Sequence, residues 1–453
     1  ELAINTFLPF DIDIIDDNPA SPLGIAYAVN HPSFVLNVAA KRMGAYVSKP
    51  DDFYQWLLHH PEQWRNLHPD FSSVNFGPDD FVPRMVYAVY LRQVFTGAIE
   101  VLEQKGVRVT HLPAQVIEIS PVPGAVDASV YVRTHQQKIR ADIVVFATGN
   151  NPSRKTTAAT ENSFDSPYTP EFMSQEWSAL SDVAVIGSGL SMIDLVQFIS
   201  SQGFTGNFHI FSRHGLLPLP HSTEHPMAAA PPLDVGLVGN TALQVVRALR
   251  CYVESNSAAG FEWQESINKI RPHVSNLWAR LPHPEQRRLA KALPWWNIHR
   301  HRIPPSSYAV LQYLREQNRL RVTRGCIKGV DRINNGFLLH LDQSRAVGNP
   351  LKIAADRLVF CNGYAPGFNR VKKLGGELLS PDDYLRRWLI KGDATFRISV
   401  THQIFALGPA LSGLLFESTA LHETRQQANS IAAAVSLLLH QPTNDCIKSY
   451  SLS

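Results

Sequence analysis

The clearest chemical signature in the sequence is a glycine-rich turn between an apolar run and a stretch with helical spacing. Residues 182–194 read DVAVIGSGLSMID. The apolar residues before the turn suit a buried parallel strand, and the two glycines let the backbone approach a pyrophosphate at the positive end of a helix. The third glycine position is Met192, so an ordinary strand-to-helix turn stays an alternative. The candidate phosphate-binding residues are Gly187, Ser188, Gly189, Leu190 and Ser191.

A second apolar strand follows about 20 residues after this turn, where a dinucleotide-binding unit contacts the adenosine ribose. Residues 207–211 end in Ser212, Arg213 and His214, with no acid among them. A carboxylate would accept a hydrogen bond from a free 2'-hydroxyl, whereas Arg213 beside Ser212 can bind a 2'-phosphate. We therefore expect NADPH to be preferred over NADH. The alternative is a solvated arginine at a strand end.

Two similar strand ends stand on either side of the glycine turn. Residues 142–150 read DIVVFATGN and residues 356–364 read DRLVFCNGY. These ends resemble the strand that, in two-dinucleotide flavoproteins, closes the first FAD lobe with Ala-Thr-Gly, whose glycine lets the backbone lie next to the cofactor. Two unrelated buried strands are the alternative. The candidate cofactor-binding residues here are Thr148, Gly149 and Gly363.

Together these elements predict an α/β fold with two Rossmann-like dinucleotide-binding domains, an FAD domain that holds an inserted NADPH domain. The expected FAD domain covers residues 1–155 and 350–453, and the NAD(P) domain covers residues 175–335. Residues 240–293 have apolar positions at helical spacing and predict a helical elaboration, which either covers a substrate pocket or caps a sheet edge.

The first strand that the sequence shows ends on acidic residues. Residues 10–15 lead into Asp16 and Asp17, and a carboxylate at this place accepts from a ribose hydroxyl in the second strand of a dinucleotide-binding unit. The first βα unit of the FAD domain, with its glycine loop, would then lie before residue 1. We expect residues 1–7 to be the end of a helix, and the chain as numbered to bind FAD poorly without upstream residues.

Several stretches resemble bacterial FAD/NAD(P)-binding proteins, a largely uncharacterised family with LNVPAxRM-like and FVPRxxYxxYL-like motifs. The matching stretches are residues 34–43 (FVLNVAAKRM), 81–87 (FVPRMVY), 212–221, 299–305 and 406–425. The resemblance implies FAD and NADP as cofactors, and it places Asn37, Arg42 and Met43 in the cofactor site. It also places Val116, in residues 107–119, where backbone lies against the flavin's adenine.

The pattern of residues 403–439 predicts a further contact with the flavin. Residues 403–407 form a strand, a turn follows, and residues 419–439 form a helix whose N-terminus would face the flavin's pyrimidine edge. A simple amphipathic closing helix is the alternative. The candidate residues are Gly408, Pro409, Ser418 and Thr419.

A basic run, His299-Arg300-His301-Arg302, has alternate histidines that could share a face. With no cysteine or carboxylate nearby in sequence, a metal site is disfavoured. A cationic wall for a phosphate or an acidic substrate is an alternative, and a solvated basic turn is the favoured interpretation. The sequence offers no obvious acid/base pair, so no catalytic residue is assigned.

Composition limits the function classes. The chain has 453 residues, 44% of them hydrophobic and 18% charged, with a net charge of +3, which is too small for a dedicated nucleic-acid binder. Its four cysteines form no CxxC pair, which argues against a dithiol redox centre and a zinc site. No apolar run is long enough to span a membrane. We expect a cytoplasmic protein with a small-molecule substrate and no membrane partner.

These observations favour an FAD-dependent, NADPH-using oxidoreductase. The Gly187–Ser191 loop resembles the GSGxS loops of class B flavin monooxygenases, which include amine N-hydroxylases, and this favours N- or C-hydroxylation of a small molecule. Two alternatives stay open: an NADPH:acceptor flavin reductase, and a non-catalytic protein that binds FAD and NADP.

Overall fold

The computed structural model describes residues 10–17, 23–125, 127–152, 162–223, 228–334, 336–342, 351–382, 384–385 and 395–440. The expected helix end at residues 1–7 lies outside these ranges, as do residues 153–161 of the linker expected over residues 152–177.

The strands are β1 (Asp11–Asp16), β2 (Arg108–Pro113), β3 (Val116–Pro121), β4 (Val130–Thr134), β5 (Lys138–Ala141), β6 (Ile143–Phe146), β7 (Asn151–Pro152), β8 (Ser163–Phe164), β9 (Asp182–Ile186), β10 (Asn207–Ser212), β11 (Leu320–Arg324), β12 (Cys326–Ile333), β13 (Gly336–Asp342), β14 (Leu351–Ala355), β15 (Arg357–Phe360), β16 (Tyr364–Ala365) and β17 (Gln403–Ala406).

The α-helices are α1 (Asp52–His59), α2 (Pro61–Trp64), α3 (Arg84–Gln104), α4 (Pro170–Met173), α5 (Leu190–Ser201), α6 (Ala242–Ala258), α7 (Trp263–Ile270), α8 (Val274–Arg280), α9 (His283–Leu289), α10 (Leu293–Arg300), α11 (Pro305–Glu316), α12 (Gly367–Gly375) and α13 (Leu421–Leu439).

A five-stranded parallel sheet carries the glycine turn, in the order β11-β10-β9-β15-β8. Side chains alternate across a strand, so successive residues of β9 face opposite layers. Val183 and Val185 pack in the core that includes α5 and α11, whereas Ala184 packs with Phe337 and Leu339 of the antiparallel sheet β12-β13-β14. The sheet is therefore covered on both faces, as its apolar run predicts.

The second Ala-Thr-Gly-like strand, β15, lies beside the strand of the glycine turn. Strand β15 pairs with β9 and β8, so it belongs to the sheet of the glycine turn and not to the sheet of residues 143–146. The second FAD part is expected to start at residue 350. The first two strands after that residue are β14, in the antiparallel sheet with β13, and β15, in the sheet of the glycine turn. A doubly buried apolar strand suits either sheet equally well, and sequence pattern alone does not choose between them.

A second layered region combines parts of the chain that are far apart in sequence. Strand β6 pairs in parallel with β17, and the meander β3-β4-β5 packs with α12 and a 3-10 turn at Gly408–Leu411 in one core. Strands β1 and β2 form a separate parallel pair. Pairing of residues 143–146 with residues 403–406 is what a domain interrupted by an insertion requires.

The predicted helical elaboration is confirmed by helices α6 to α10. Helix α6 begins at a capping box formed by Thr241 and Gln244, and the helices enclose a core of their own that contains Val245, Ile270 and Leu277. Phe416, just before α13, contacts Trp278 with ring centroids 5.0 Å apart, so the elaboration reaches the last part of the chain.

Helix α3 is, among the described helices, the one long and apolar enough to span a membrane by composition. Its first half instead lies in a protein core, where Tyr87 packs against Phe53 and Arg84 is buried in an ion pair with Asp194. It is therefore the core helix of its region.

Candidate functional site

The two glycines of the turn after β9 have different surroundings. Gly187 has φ +111°, and a Cβ there would lie 2.1 Å from the Cys361 carbonyl oxygen at the end of β15. Gly189 is the N-cap of α5 with φ −87°, and a Cβ there would meet no atom within 4 Å. Gly187 is thus required by packing within the protein, whereas Gly189 keeps open space in front of a helix N-terminus.

That open space fits a dinucleotide phosphate. The first backbone N–H groups of α5 have no partner within the helix, and the helix dipole favours a negative charge there. Side chains beside the turn are already engaged: the Ser188 hydroxyl donates to the Leu216 carbonyl at 2.6 Å, and Ser191 accepts from the Tyr168 hydroxyl at 3.3 Å. Backbone groups rather than these hydroxyls are therefore the available donors.

Two arginines flank the end of β10. Arg213 and Arg324 are both exposed. Arg324 of β11 pairs in register with Ser212 of β10, so it lies at the strand end next to Arg213. Gly215 turns back over Arg324, since a Cβ on Gly215 would lie 3.2 Å from the Arg324 Cβ. Sequence reasoning found Arg213 but missed Arg324, because its proximity depends on the strand order. Two guanidinium groups at neighbouring strand ends suit a 2'-phosphate.

The predicted residues near the flavin converge at the carboxyl ends of β6 and β17. The Leu407 N–H donates to the Phe146 carbonyl at 3.1 Å, so the turns after the two strands begin side by side. These turns contain Thr148, Gly149, Gly408 and Pro409. Both glycines have φ +62°, and a Cβ on Gly149 would meet no atom within 4 Å. This edge is the part of a parallel sheet where ligands bind.

Helix α13 completes this edge. Its Gln427 accepts from the Gly408 N–H at 2.6 Å, and Ser418, before its first turn, is 2% exposed. The Ser418 hydroxyl has no hydrogen-bond partner among the described residues, whereas Thr419 is exposed. A buried hydroxyl without a partner at a helix N-terminus fits a polar edge such as that of a flavin ring.

Gly363 lies between β15 and β16, where the chain passes from one layered region to the other. It follows β15, with φ +84° and open space at its Cβ position, and it precedes β16. Strand β16 pairs with β7, so the two connections between the layered regions run antiparallel beside each other. Gly149 and Gly363 each precede one of these paired connections. The two similar strand ends are therefore brought to one junction, although they belong to different sheets.

Asp16 and Val116 lie near each other. The Ala114 N–H donates to the Asp16 carbonyl at 3.2 Å, the Asp16 side chain is exposed, and Val116 starts β3.

The motif at residues 37–43 has mixed roles. Met43 is 2% exposed and packs in the core with Phe53 and Tyr87, whereas Arg42 is exposed at the end of a 3-10 turn. The Asn37 carbonyl is 2.9 Å from Nε2 of His221. Burial lowers the pKa of His221 to about 4, so its ring is neutral at pH 7 and donates through Nε2. The motif therefore contacts the loop that follows β10.

The basic run at residues 299–302 is not a solvated turn. Arg300 donates to both carboxylate oxygens of Glu417, at 3.1 and 3.2 Å, and Arg302 is 7% exposed and donates to Gln264 and Asn268. Burial and the neighbouring charge of Arg300 lower the pKa of His301 to about 3. The partners come from distant parts of the chain and could not be predicted from local sequence pattern.

A carboxylate–guanidinium network joins the helical elaboration to α13. Arg271 donates to both oxygens of Glu423 at 2.6 and 2.7 Å, and the Trp296 indole donates to Glu417 at 2.9 Å. Glu423 lies in the first turn of α13, where the helix dipole favours an acid. Sequence reasoning missed this network because its members are more than 100 residues apart. Over the described residues, no group of three side chains is arranged to hold a metal ion.

Two cavities have volumes in the range of small-molecule sites. The insertion cavity, of about 750 Å³, lies among residues 219–223, α7 and α11, and its lining includes His221, Glu262, Trp263, Gln264 and Tyr308. A second cavity, of about 650 Å³, lies between α1 and α3, with Lys49, Asp52 and Tyr90 among its lining residues. The insertion cavity is lined by His221, whose ring donates to the Asn37 carbonyl.

Comparisons with known proteins agree with this architecture. Residues 2–151 match the family model described as FAD-NAD(P)-binding. No curated protein matches the chain in sequence. Among solved structures, ornithine hydroxylase from Pseudomonas aeruginosa is similar with a TM-score of 0.60 at 14% identity, over 94% of this chain and 92% of that one.

Two further solved structures are similar over nearly their whole length. Ornithine N-hydroxylase from Kutzneria sp. 744 has a TM-score of 0.56 at 16% identity, over 95% of this chain and 98% of that one. L-lysine 6-monooxygenase from Pseudomonas syringae has a TM-score of 0.54 at 15% identity, over 95% and 99%. Residues 2–151 therefore match the FAD-NAD(P)-binding family, and the chain has the fold of flavoproteins with two dinucleotide-binding domains.

Proposed function

We propose that this protein is a soluble, cytoplasmic, FAD-dependent and NADPH-using monooxygenase that hydroxylates a nitrogen or carbon atom of a small molecule. The observation that carries the proposal is the convergence of three nucleotide-type turns at one junction. The Gly187–Ser191 loop follows β9, the turns at Gly149 and Gly408 follow β6 and β17, and the paired strands β7 and β16 join the two regions.

The proposed NADPH site is the N-terminus of α5 together with Arg213 and Arg324. The open space at Gly189 admits a pyrophosphate, and the two arginines bind the 2'-phosphate. The proposed NAD(P) domain contains the five-stranded sheet, the β12-β13-β14 sheet and the helical elaboration, and it therefore extends past residue 335 to β15.

The proposed FAD site is the edge formed by the turns after β6 and β17 and by the start of α13, with the adenosine end toward Asp16. Here Gly149 leaves space for the cofactor, and the Ser418 hydroxyl is available to a polar ring edge. When bound, FAD supplies the means to accept a hydride from NADPH and to activate oxygen.

Two observations favour oxygen over a disulfide as the acceptor. Burial and the charge of Asp194 raise the pKa of Cys361, which disfavours a thiolate, and the other described cysteines, Cys251 and Cys326, are exposed and distant in sequence. Relatives in fold include ornithine and lysine hydroxylases, which favours an amine or amino-acid-like substrate.

The protein's own part in such a reaction is to position both nucleotides and to keep water out. The Arg271–Glu423 and Arg300–Glu417 pairs hold the helical elaboration against α13, next to the proposed flavin edge. Exclusion of water protects reactive oxygen chemistry from side reactions.

The test is to measure NADPH consumption, oxygen uptake and peroxide release together, across a panel of amines, amino acids and heterocycles. A monooxygenase consumes NADPH with formation of a hydroxylated product when its substrate is present, and releases peroxide slowly when it is not. A reduced flavin that ignores oxygen but passes electrons rapidly to a quinone would indicate an NADPH:acceptor reductase. FAD-bound protein that never consumes NADPH would indicate a non-catalytic role.

A further inference from the structure

Arg302 is a buried guanidinium whose hydrogen bonds are incompletely used. Its two terminal nitrogens donate to the side-chain oxygens of Gln264 and Asn268, both at 2.8 Å. The Nε–H has no partner among the described residues. Both partners are neutral amides, and no ion pair of Arg302 occurs in the described part of the chain. Glu265 is near enough to act on its charge, but this carboxylate accepts from Asn268 instead.

The surroundings leave this positive charge poorly compensated. Burial, followed by the neighbouring charge of Arg42, lowers the pKa of Arg302 to about 10. A buried charge without an oppositely charged partner is costly, and a negatively charged ligand would remove that cost. The amides of Gln264 and Asn268 nevertheless fix the guanidinium in one orientation.

Arg42 approaches the same place from the other layered region. The backbone N–H of His221 donates to the carbonyl of Ile303, the residue after Arg302, at 2.9 Å. The ring of His221 donates to the Asn37 carbonyl, in the stretch that ends at Arg42 and Met43. Arg42 is exposed and forms no ion pair with any described residue. The positive charges of Arg42 and Arg302 therefore both act on the His221 ring, which lies where the two regions touch.

The insertion cavity reaches Arg302 through Gln264, which accepts from the guanidinium and lines the cavity. Gln264 and His221 both line it, and Gln264 also accepts from the backbone N–H of Ser222 at 3.1 Å. Its volume of about 750 Å³ suits a small molecule. The proposed 2'-phosphate site at Arg213 and Arg324 is formed by other residues, at the ends of β10 and β11.

We propose that Arg42 and Arg302 form a binding site for an anionic group, a carboxylate or a phosphate, carried by the small molecule that the enzyme oxidises. Assignment of the anion to the substrate rests on the proposed function. An anionic oxygen accepts from the unused Nε–H of Arg302 and from the fork of Arg42, and such charge-assisted bonds are the strong ones. This differs from the expectation that Arg42 contacts a cofactor.

The first test is sulfate binding to the full chain by calorimetry. We expect saturable binding that weakens about tenfold in Arg42→Gln and in Arg302→Lys, since each loses one charge-assisted contact. Arg42 is exposed, so Arg42→Gln tests the site even if Arg302→Lys folds poorly. Arg247→Gln removes the same charge from an exposed face of α6, and Arg213→Gln removes it from the other anion site; both keep this affinity. Absence of saturable binding, or equal affinity in Arg42→Gln and the parent, overturns the proposal.

The second test identifies the source of the anion. We expect Arg42→Gln to retain the parent's FAD content and NADP⁺ affinity. An about tenfold weaker NADP⁺ affinity, or a lower FAD content, would assign the anion to a dinucleotide phosphate and overturn the substrate assignment. Sulfate binding needs neither flavin reduction nor oxygen, so failure of this site is distinguishable from failure of the proposed function.

Discussion

Arg84 donates to both carboxylate oxygens of Asp194, at 2.8 and 2.9 Å, and this pair joins the two regions of the fold. Arg84 begins α3, and Asp194 lies in the first half of α5, just after the Gly187–Ser191 loop. The Tyr168 hydroxyl adds a third donor to Asp194 at 2.5 Å. Burial raises the pKa of the Asp194 carboxyl, and Arg84 opposes that rise. The helix that carries the proposed phosphate site, α5, is thus fixed to α3.

Loss of Arg84 leaves a buried carboxylate without its cation. We expect Arg84→Gln to lower the free energy of unfolding by about 3–5 kcal/mol, measured by chemical denaturation. Arg133→Gln is the matched control, because it breaks the exposed pair with Glu118 and costs about 0–1 kcal/mol. The double variant Arg84→Met/Asp194→Leu should recover most of the loss. Equal effects of Arg84→Gln and Arg133→Gln would show that the buried pair is not a structural link.

The two glycines of the turn give opposite expectations. In Gly187→Ala the methyl group would collide with the Cys361 carbonyl, so the thermal midpoint should fall sharply. In Gly189→Ala the methyl group meets no protein atom, so the midpoint should be nearly unchanged while NADPH affinity falls. Differential scanning calorimetry and NADPH titration separate these effects. Full NADPH affinity in a well-folded Gly189→Ala variant would contradict the proposed phosphate site.

Much of this site could be predicted from the sequence, because its signals are local. The glycine turn, the strand before it and Arg213 stand within about 30 residues and follow from hydrophobic pattern and turn chemistry. Arg324 and the Arg84–Asp194 pair could not be predicted, since each depends on which strands or helices are neighbours. The strands that neighbour β15 could not be predicted for the same reason. Arg300 and Arg302 looked like a solvated turn because their amide and carboxylate partners are distant in sequence.

The arginines beside Ser212 should decide nucleotide choice. We expect Arg213→Ala and Arg324→Ala each to weaken NADPH binding by about tenfold and to leave NADH almost unaffected, because only NADPH carries the 2'-phosphate. Arg321→Ala is the control, since Arg321 is exposed on the same strand as Arg324 but three residues before its end. Comparable affinities of the unmutated protein for the two nucleotides would contradict the assignment.

Protonation of the buried His221 should lower the free energy of unfolding in acid. Its pKa is lowered from 6.5 to about 4 by burial, so the unfolded chain binds the proton more tightly than the folded protein. The free energy of unfolding should therefore be constant above about pH 6.5 and fall toward pH 4, by up to about 3 kcal/mol from this residue. His221→Gln, which can still donate to Asn37, should flatten part of this fall. The exposed His135→Gln should not, and an unchanged slope in His221→Gln would refute the prediction.

The most direct test of the central claim is anaerobic mixing of FAD-loaded protein with NADPH while the flavin absorbance is followed. We predict that the flavin band bleaches, that NADPH acts faster than NADH at equal concentration, and that admission of oxygen restores the band. A flavin that stays oxidised in the presence of excess NADPH would contradict the proposal that the two nucleotide sites meet to transfer a hydride.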